Sequence, residues 1–84
     1  MPSALFIATI KLTGDVNTPD FAGWIEKHAR KLDVQLLDTQ TDRAGVSLKV
    51  QGAEELVQAL ALGCSLGPAS VMVEGMTLTR LDPF

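Results

Sequence analysis

Strand-like and helix-like patterns of apolar residues alternate along this sequence, and the order of these segments is compatible with few folds. Residues 4–12 are rich in β-branched and aromatic types, which predicts a strand with its even-numbered, apolar residues on one face, and Gly14 ends it. The pair Thr18 and Pro19 predicts a helix start, because threonine caps a helix well and proline fits its first turn. Apolar residues at helical spacing continue this helix to about Lys31.

The next part of the chain is predicted to contain two strands followed by a second helix. A strand begins at residues 34–37, and the polar TQTDRAG of residues 39–45 is predicted to be its frayed end and a turn. Apolar and polar residues alternate over residues 46–51, which predicts a third strand with one solvated face. A second amphipathic helix starts at Glu54, and the Gly-Pro pair of residues 67–68 stops it.

A final extended segment completes the order strand, helix, strand, strand, helix, strand. It covers residues 71–73 and 76–81, and Gly75 between them predicts a bend or a bulge. Two right-handed crossovers then place both helices on one face of an antiparallel sheet. We therefore predict an α+β fold, a ferredoxin-like α/β sandwich with the order βαββαβ, as a single domain over residues 1–84.

Composition excludes several classes of protein. An apolar content of 46% supports a packed core, and the single cysteine, Cys64, rules out an internal disulfide. The N-terminal apolar run is too short to cross a bilayer and lacks signal-peptide features, so we expect a cytoplasmic protein without a membrane partner. A net charge of −3 with scattered basic residues argues against nucleic acid. Cys64 has no partner at metal-ligand spacing, so we expect neither a metal nor a cofactor.

Trp24 and His28 lie at the edge of the apolar stripe of the first helix. We expect Trp24 to pack over the end of the sheet, with a role in a binding surface as the alternative. His28 is predicted to be a partly buried boundary residue, because the sequence places no serine or cysteine nucleophile beside it.

The stretch GDVNTPDFA of residues 14–22 is the first of several segments that suggest a family. Gly14, Val16 and Phe21 match, at the same spacing, the Gly, Val and Phe of the pattern G-x-V-Q-G-V-x-F-R. That pattern is the first loop of the acylphosphatase family, which this chain resembles. ARKLDV at residues 29–34 is similar to the family's A-R-R-L-G-V at the end of its first helix.

The resemblance extends over about residues 5–80. Gly52 and the Gly-Pro pair of residues 67–68 keep the family's spacing around its second helix. The resemblance implies the ferredoxin-like fold and a loop whose backbone amides and closing arginine hold the phosphate of an acyl phosphate. It also implies a side-chain amide on the second strand that positions the attacking water.

Departures from the family fall on this chemistry. Where the family has Gln, Gly, Val and Arg, this chain has Asn17, Thr18, Pro19 and Ala22. Proline has no N–H to donate, threonine resists a positive φ, and alanine carries no charge. The candidate ligand-loop residues are Gly14, Asp15, Val16, Asn17, Thr18, Asp20, Phe21 and Ala22. The carboxylates of Asp15 and Asp20 would repel an anion by about 3 kcal/mol per charge pair at about 5 Å and an effective dielectric of about 20.

The water-positioning residue is less certain in the sequence. Ungapped counting from ARKLDV puts Gln40 at the position of the family's Asn, and an alignment shift of one residue leaves Thr39 and Thr41 open. Glutamine keeps the amide on a side chain one methylene longer, and a displacement of that size matters for orienting a water.

Arg43 is the candidate for a replacement cation. Parallel first and second strands end on the same side of the sheet, so the turn that holds Arg43 approaches the loop. The alternative is a solvated turn arginine paired with Asp42 or Asp38.

Three functions follow from this reading of the sequence. The leading hypothesis is an acylphosphatase-like domain without catalysis, a monomer or weak homodimer that binds a small anion or a protein partner. The second is an active acylphosphatase that cleaves the carboxyl–phosphate bond with Gln40 and either Arg43 or Lys11. The third is an unrelated ferredoxin-like regulatory or dimerisation domain.

Overall fold

The computed structural model describes residues 6–16, 19–68 and 71–81. The elements in chain order are β1 (Phe6–Asp15), α1 (Pro19–Lys31), β2 (Gln35–Asp42), β3 (Gly45–Gly52), α2 (Glu54–Leu66) and β4 (Met72–Arg80). The strands form one antiparallel sheet in the order β2-β3-β1-β4. This is the ferredoxin-like α/β sandwich that the sequence predicts. Within these residues, no helix combines the length and the apolar character needed to cross a bilayer.

One hydrophobic core lies between the sheet and the two helices. Period 2 in β1 and β3 turns alternate residues towards the helices, and period 3.6 in α1 and α2 turns one stripe of each helix towards the sheet. The buried side chains of these four elements are Phe6, Ala8, Ile10, Leu12, Val46, Leu48, Val50, Phe21, Ile25, Ala29, Val57, Leu60, Ala61 and Cys64. Among the described residues, no helix covers the other face of the sheet, which is lined mostly by polar residues, so we call it the open face.

Strand β1 runs past the glycine that was predicted to end it. Gly14 has φ 120° and pairs with Val73, while Thr13 pairs with Gly75, so Glu74 is an extra residue in β4. The prediction of a bend or bulge near Gly75 is confirmed, and β4 is continuous through it. A positive φ at Gly14 lets β1 follow the irregular register to its last residue, Asp15.

Strand β2 also runs further than predicted. Residues 39–42, which the sequence assigns to a frayed end and a turn, pair in register with β3. Their polar side chains are tolerated because β2 is an edge strand and most of it faces solvent. The register skips Leu37, which makes this residue a bulge between Leu36 and Asp38.

The predicted limits of both helices are confirmed. Helix α1 starts at Pro19 and ends at Lys31. Helix α2 ends at Leu66, and the next residue, Gly67, caps it, because a φ of 62° lets its N–H donate to the carbonyl of Gly63 at 3.0 Å. The cap predicted at Thr18 and the predicted first residues of the first strand lie outside the described residues.

Candidate functional site

Three residues fix the path of the chain from β1 into α1. A Cβ on Gly14 would collide with the carbonyl oxygen of Met72 and lie 2.7 Å from the backbone nitrogen of Glu74, so only glycine fits. Val16 and Phe21 are each 1% exposed and belong to the core. The frame that matches the acylphosphatase pattern is therefore a packing feature in this chain.

Three residues next to the frame residues face solvent. Asp15, Asp20 and Ala22 are exposed. The predicted ligand-loop residues Asn17 and Thr18 lie outside the described residues. The exposed surface that flanks this loop thus carries two carboxylates and a methyl group.

A small hollow lies beside Ala22, under the start of α1. Its volume is about 20 Å³, which is room for about one water molecule. Its lining residues are Val16, Phe21, Ala22, Ile25, Thr39, Thr41 and Val46. None of these side chains is charged, and the two threonine hydroxyls are its polar side-chain groups. The hollow offers hydroxyls to a ligand and offers an anion no side-chain charge.

Gln40 does not share this hollow with Ala22. It pairs across the sheet with Ser47 on the open face, and its Nε2 donates a 3.4 Å hydrogen bond to Asp38 Oδ2. Thr39 and Thr41 pair with buried residues of β3, so both turn towards the helices. The structure brings Thr39 and Thr41, which the sequence left open, to the place where Gln40 was expected.

The bulge at Leu37 explains this exchange of faces. Leu36 pairs with buried Val50 on the helix side, so uninterrupted alternation would turn every second residue after it, including Gln40, towards the helices. The extra residue reverses that alternation. A signal for the bulge, which the sequence does not supply, would have identified both threonines.

The two candidate cations lie in different places. Lys11 pairs with Ser47 and Thr77, so it lies on the open face, away from the hollow. Arg43 lies in the β2–β3 turn, and the pairing of Thr13 with Gly45 holds that turn beside the end of β1. The structure therefore brings Arg43, and not Lys11, to the end of the sheet that bears the loop.

The expected carboxylate partners of Arg43 are engaged elsewhere. Asp42 Oδ1 accepts hydrogen bonds from the backbone N–H groups of Ala44 and Gly45, at 2.8 and 3.1 Å. Asp38 Oδ1 accepts one from the backbone N–H of Thr39, at 3.0 Å. Within residues 6–16, 19–68 and 71–81, Arg43 makes no hydrogen bond and no ion pair.

The remaining candidates lie apart from the loop or pack beside it. Burial raises the pKa of the Cys64 thiol from 9.0 to about 12, so the thiol stays protonated near neutral pH. No group of three metal-ligating side chains occurs in the described part of the chain. Trp24 is half-buried, with its ring centroid 5.8 Å from that of Phe21 and 4.0 Å from that of His28, which it stacks against.

Among the comparisons with known proteins, only the one with solved structures finds matches. No protein-family model matches the sequence, and no curated protein matches it. Solved structures do match. An acylphosphatase from Coxiella burnetii has a TM-score of 0.84 and 17% identity, over 93% of this chain and 82% of that one. An acylphosphatase from Bacillus subtilis has a TM-score of 0.80 and 18% identity, over 96% of this chain and 89% of that one.

A third match is to a much longer protein. Full-length HypF in a phosphate- and nucleotide-bound form has a TM-score of 0.86 and 14% identity, over 98% of this chain. This chain spans 11% of the length of that protein. At these identities the likeness is one of fold alone, and it shows that the chain has an acylphosphatase-like fold.

Proposed function

We propose that this acylphosphatase-like domain does not hydrolyse acyl phosphates and acts as a small binding or interaction module. The observation that carries the proposal is the hollow beside Ala22, whose lining includes no cation. A phosphoryl group needs several converging N–H donors and a fixed positive charge.

The charges near the loop oppose an anion. Asp15 and Asp20 are exposed on either side of it, and Pro19 has no N–H to contribute. Each carboxylate would repel a singly charged anion by about 3 kcal/mol at about 5 Å and an effective dielectric of about 20. A phosphate with two charges would be repelled more strongly.

The second requirement of hydrolysis is a side chain that orients the attacking water, and the amide expected in this role does not line the hollow. Gln40 lies on the open face, so its amide does not reach a water beside Ala22. Thr39 and Thr41 offer hydroxyls, which hold a water in a different geometry from an amide. Together these features favour a role in binding over a role in catalysis.

One observation favours an active enzyme as a second candidate. Arg43 lies at the loop end of the sheet and has no ion-pair partner among the described residues, so its guanidinium is available to a bound acyl phosphate. In this mechanism Arg43 would take over the role of the arginine that Ala22 replaces.

Hydrolysis of benzoyl phosphate at neutral pH separates the two candidates. We expect the same rate with the protein as with buffer, and no effect of Arg43→Ala. The matched control is Arg30→Ala, because Arg30 is also exposed but lies near the far end of α1, in an ion pair with Glu26. Turnover above buffer would contradict the proposal, and its loss in Arg43→Ala but not in Arg30→Ala would establish the second candidate.

A titration with inorganic phosphate tests anion binding without turnover. We expect the amide resonances of residues 14–22 to stay unshifted below tens of millimolar, as for a site of less than about 3 kcal/mol. Saturable shifts at lower concentration would show that the loop still binds anions.

A further inference from the structure

Among the described residues, no strand pairs with the outer edge of β4, the last strand of the sheet. The N–H of Leu81 donates to the carbonyl of Ile7 in β1, at 2.8 Å. Alternate residues of an antiparallel strand direct their backbone groups to opposite sides. The N–H and C=O groups of Met76 and Leu78 therefore point outward from the sheet.

Apolar side chains lie beside this edge. Met76 is 37% exposed, and on α2, which packs over β4, Leu62 and Leu66 are 61% and 77% exposed. A Cβ on Gly63 would lie 3.5 Å from His28 of α1, so Leu62, about 100° around the helix and exposed, does not face α1. The outer edge of β4 and the exposed side of α2 together form one surface, which we call the β4 surface. Its residues are Met76, Leu78, Leu62 and Leu66.

The other edge of the sheet is protected. Strand β2 has a bulge at Leu37, and the carboxylates of Asp38 and Asp42 lie along it. Bulges and charges are the features by which edge strands avoid pairing. Strand β4 also has a bulge, at Glu74, but its next five residues, 75–79, are uncharged, so this part of the β4 edge lacks the charges that lie along β2.

The charges of β4 favour a second copy of the same strand. Glu74 and Arg80 lie three residues before and after Thr77. In an antiparallel pair related by a two-fold axis at Thr77, Glu74 of each strand lies opposite Arg80 of the other, and that guanidinium also lies over the Phe6 ring of its own chain, 5.0 Å from the ring centre. The outward N–H and C=O groups of Met76 then reach those of Leu78 in the second copy.

The helices fit the same arrangement. Helix α2 packs on β4 and β1 and also contacts β3, so pairing of two β4 strands brings the two copies of α2 towards each other on the same face of the sheet. Helices pack at about 8–10 Å, with side chains such as Leu62 between them. The strand pairing thus also buries the exposed leucine of α2.

We propose that two copies of this chain pair through the β4 surface into a two-fold dimer with a continuous eight-stranded sheet. One strand edge and one side of a helix form a small interface, which buries less than about 1,200 Å² of surface in total. The dimer is therefore weak, and its population depends on concentration. This inference goes beyond the proposed function and does not depend on it, because the loop and the hollow take no part in the contact.

Sedimentation equilibrium from micromolar to millimolar concentration tests the dimer. We expect Met76→Lys to weaken association at least about tenfold, the equivalent of about 1.4 kcal/mol. The matched control is Leu37→Lys, since Leu37 is 41% exposed on the opposite edge, and it should associate like the unmodified protein. A monomer at every concentration, or equal effects of the two lysines, would overturn the proposal.

Two further variants test the geometry while leaving the strand backbone intact. Leu62→Glu changes only an exposed helix side chain and should weaken association in the same way. Thr77→Cys should form an intermolecular disulfide on mild oxidation, because paired Cβ atoms on the axis lie within about 4.5–5.5 Å. Gln40→Cys, exposed on β2, is the control and should not cross-link. Failure of Thr77→Cys to cross-link better than Gln40→Cys would contradict the proposed axis.

Discussion

Residues 14–22 contain two kinds of position: some are packed against the rest of the fold, and others are exposed to solvent. Gly14, Val16 and Phe21 are held by steric contact or by burial in the core. Asp15 and Ala22 face solvent, and no packing depends on them. The comparison teaches that a loop can keep its shape while its chemistry changes, because the two properties reside in different side chains.

Energetics explain why the first set stays while the second set is free to change. Burying an apolar side chain such as Val16 or Phe21 contributes about 1.5–3 kcal/mol. Surface substitutions usually change stability by no more than about 0.5 kcal/mol. Alanine can therefore replace a charged residue at position 22 without a change in the fold.

The largest expected effect is that of removing the aromatic member of the frame. Phe21→Ala should lower the free energy of unfolding by about 3–5 kcal/mol, because it removes a fully buried ring and leaves a cavity. Urea denaturation measures the loss, with the exposed Leu37→Ala as the control. A loss below about 1 kcal/mol would mean that the loop frame does not support the core.

A smaller effect on stability is expected at high pH, where the buried thiol of Cys64 in the hydrophobic core becomes relevant. The pKa of Cys64 is about 12 in the folded chain and 9.0 in the unfolded one, so only the unfolded state releases the proton between those values. Stability from this thiol is complete below pH 9 and should fall as the pH rises towards 12, by at most about 1.4 kcal/mol per unit. Thermal unfolding of the protein and of Cys64→Ala across this range measures the difference in slope. Parallel slopes would show that the thiol is not shielded.

Gly14→Ala tests the steric member of the frame. We expect a loss of about 1–3 kcal/mol, because alanine resists a φ of 120° and its Cβ would meet the backbone of β4. Gly23→Ala is the matched control, since a Cβ there has no heavy atom within 4 Å. If both variants unfold at the same denaturant concentration, Gly14 belongs with the exchangeable positions.

The smallest effect on stability should come with a gain in binding. Ala22→Arg should change the free energy of unfolding by no more than about 0.5 kcal/mol, because the residue is exposed. It should also give phosphate-dependent amide shifts in residues 14–22, since it restores a guanidinium at the start of α1. Ala59→Arg, exposed on α2, is the control that adds the same charge elsewhere. No gain over this control would show that the missing charge is not what limits binding.

The order of the elements could be predicted from the sequence because it depends on local patterns. Period 2 and period 3.6 alternate cleanly, and the Gly-Pro pair at residues 67–68 and the Thr-Pro pair at 18–19 mark helix ends by their own backbone chemistry. These signals act over a few residues. The fold and both helix limits follow from them.

The arrangement of the candidate site depends on contacts between strands, which local patterns do not contain. The polar residues 39–42 look like a turn in isolation and become a strand because β3 supplies their hydrogen-bond partners. The bulge at Leu37 decides whether Gln40 or its threonine neighbours face the helices, and no residue type there announces it. The identity of the site residues is therefore a tertiary property.

The stacking of Trp24 on His28 gives the protein an optical reporter of its own. The chain has a single tryptophan, so all indole emission comes from the first helix, one turn from buried Phe21. The same signal follows the departure of the helix from the sheet, so a fluorimeter can monitor the packing of the loop frame directly.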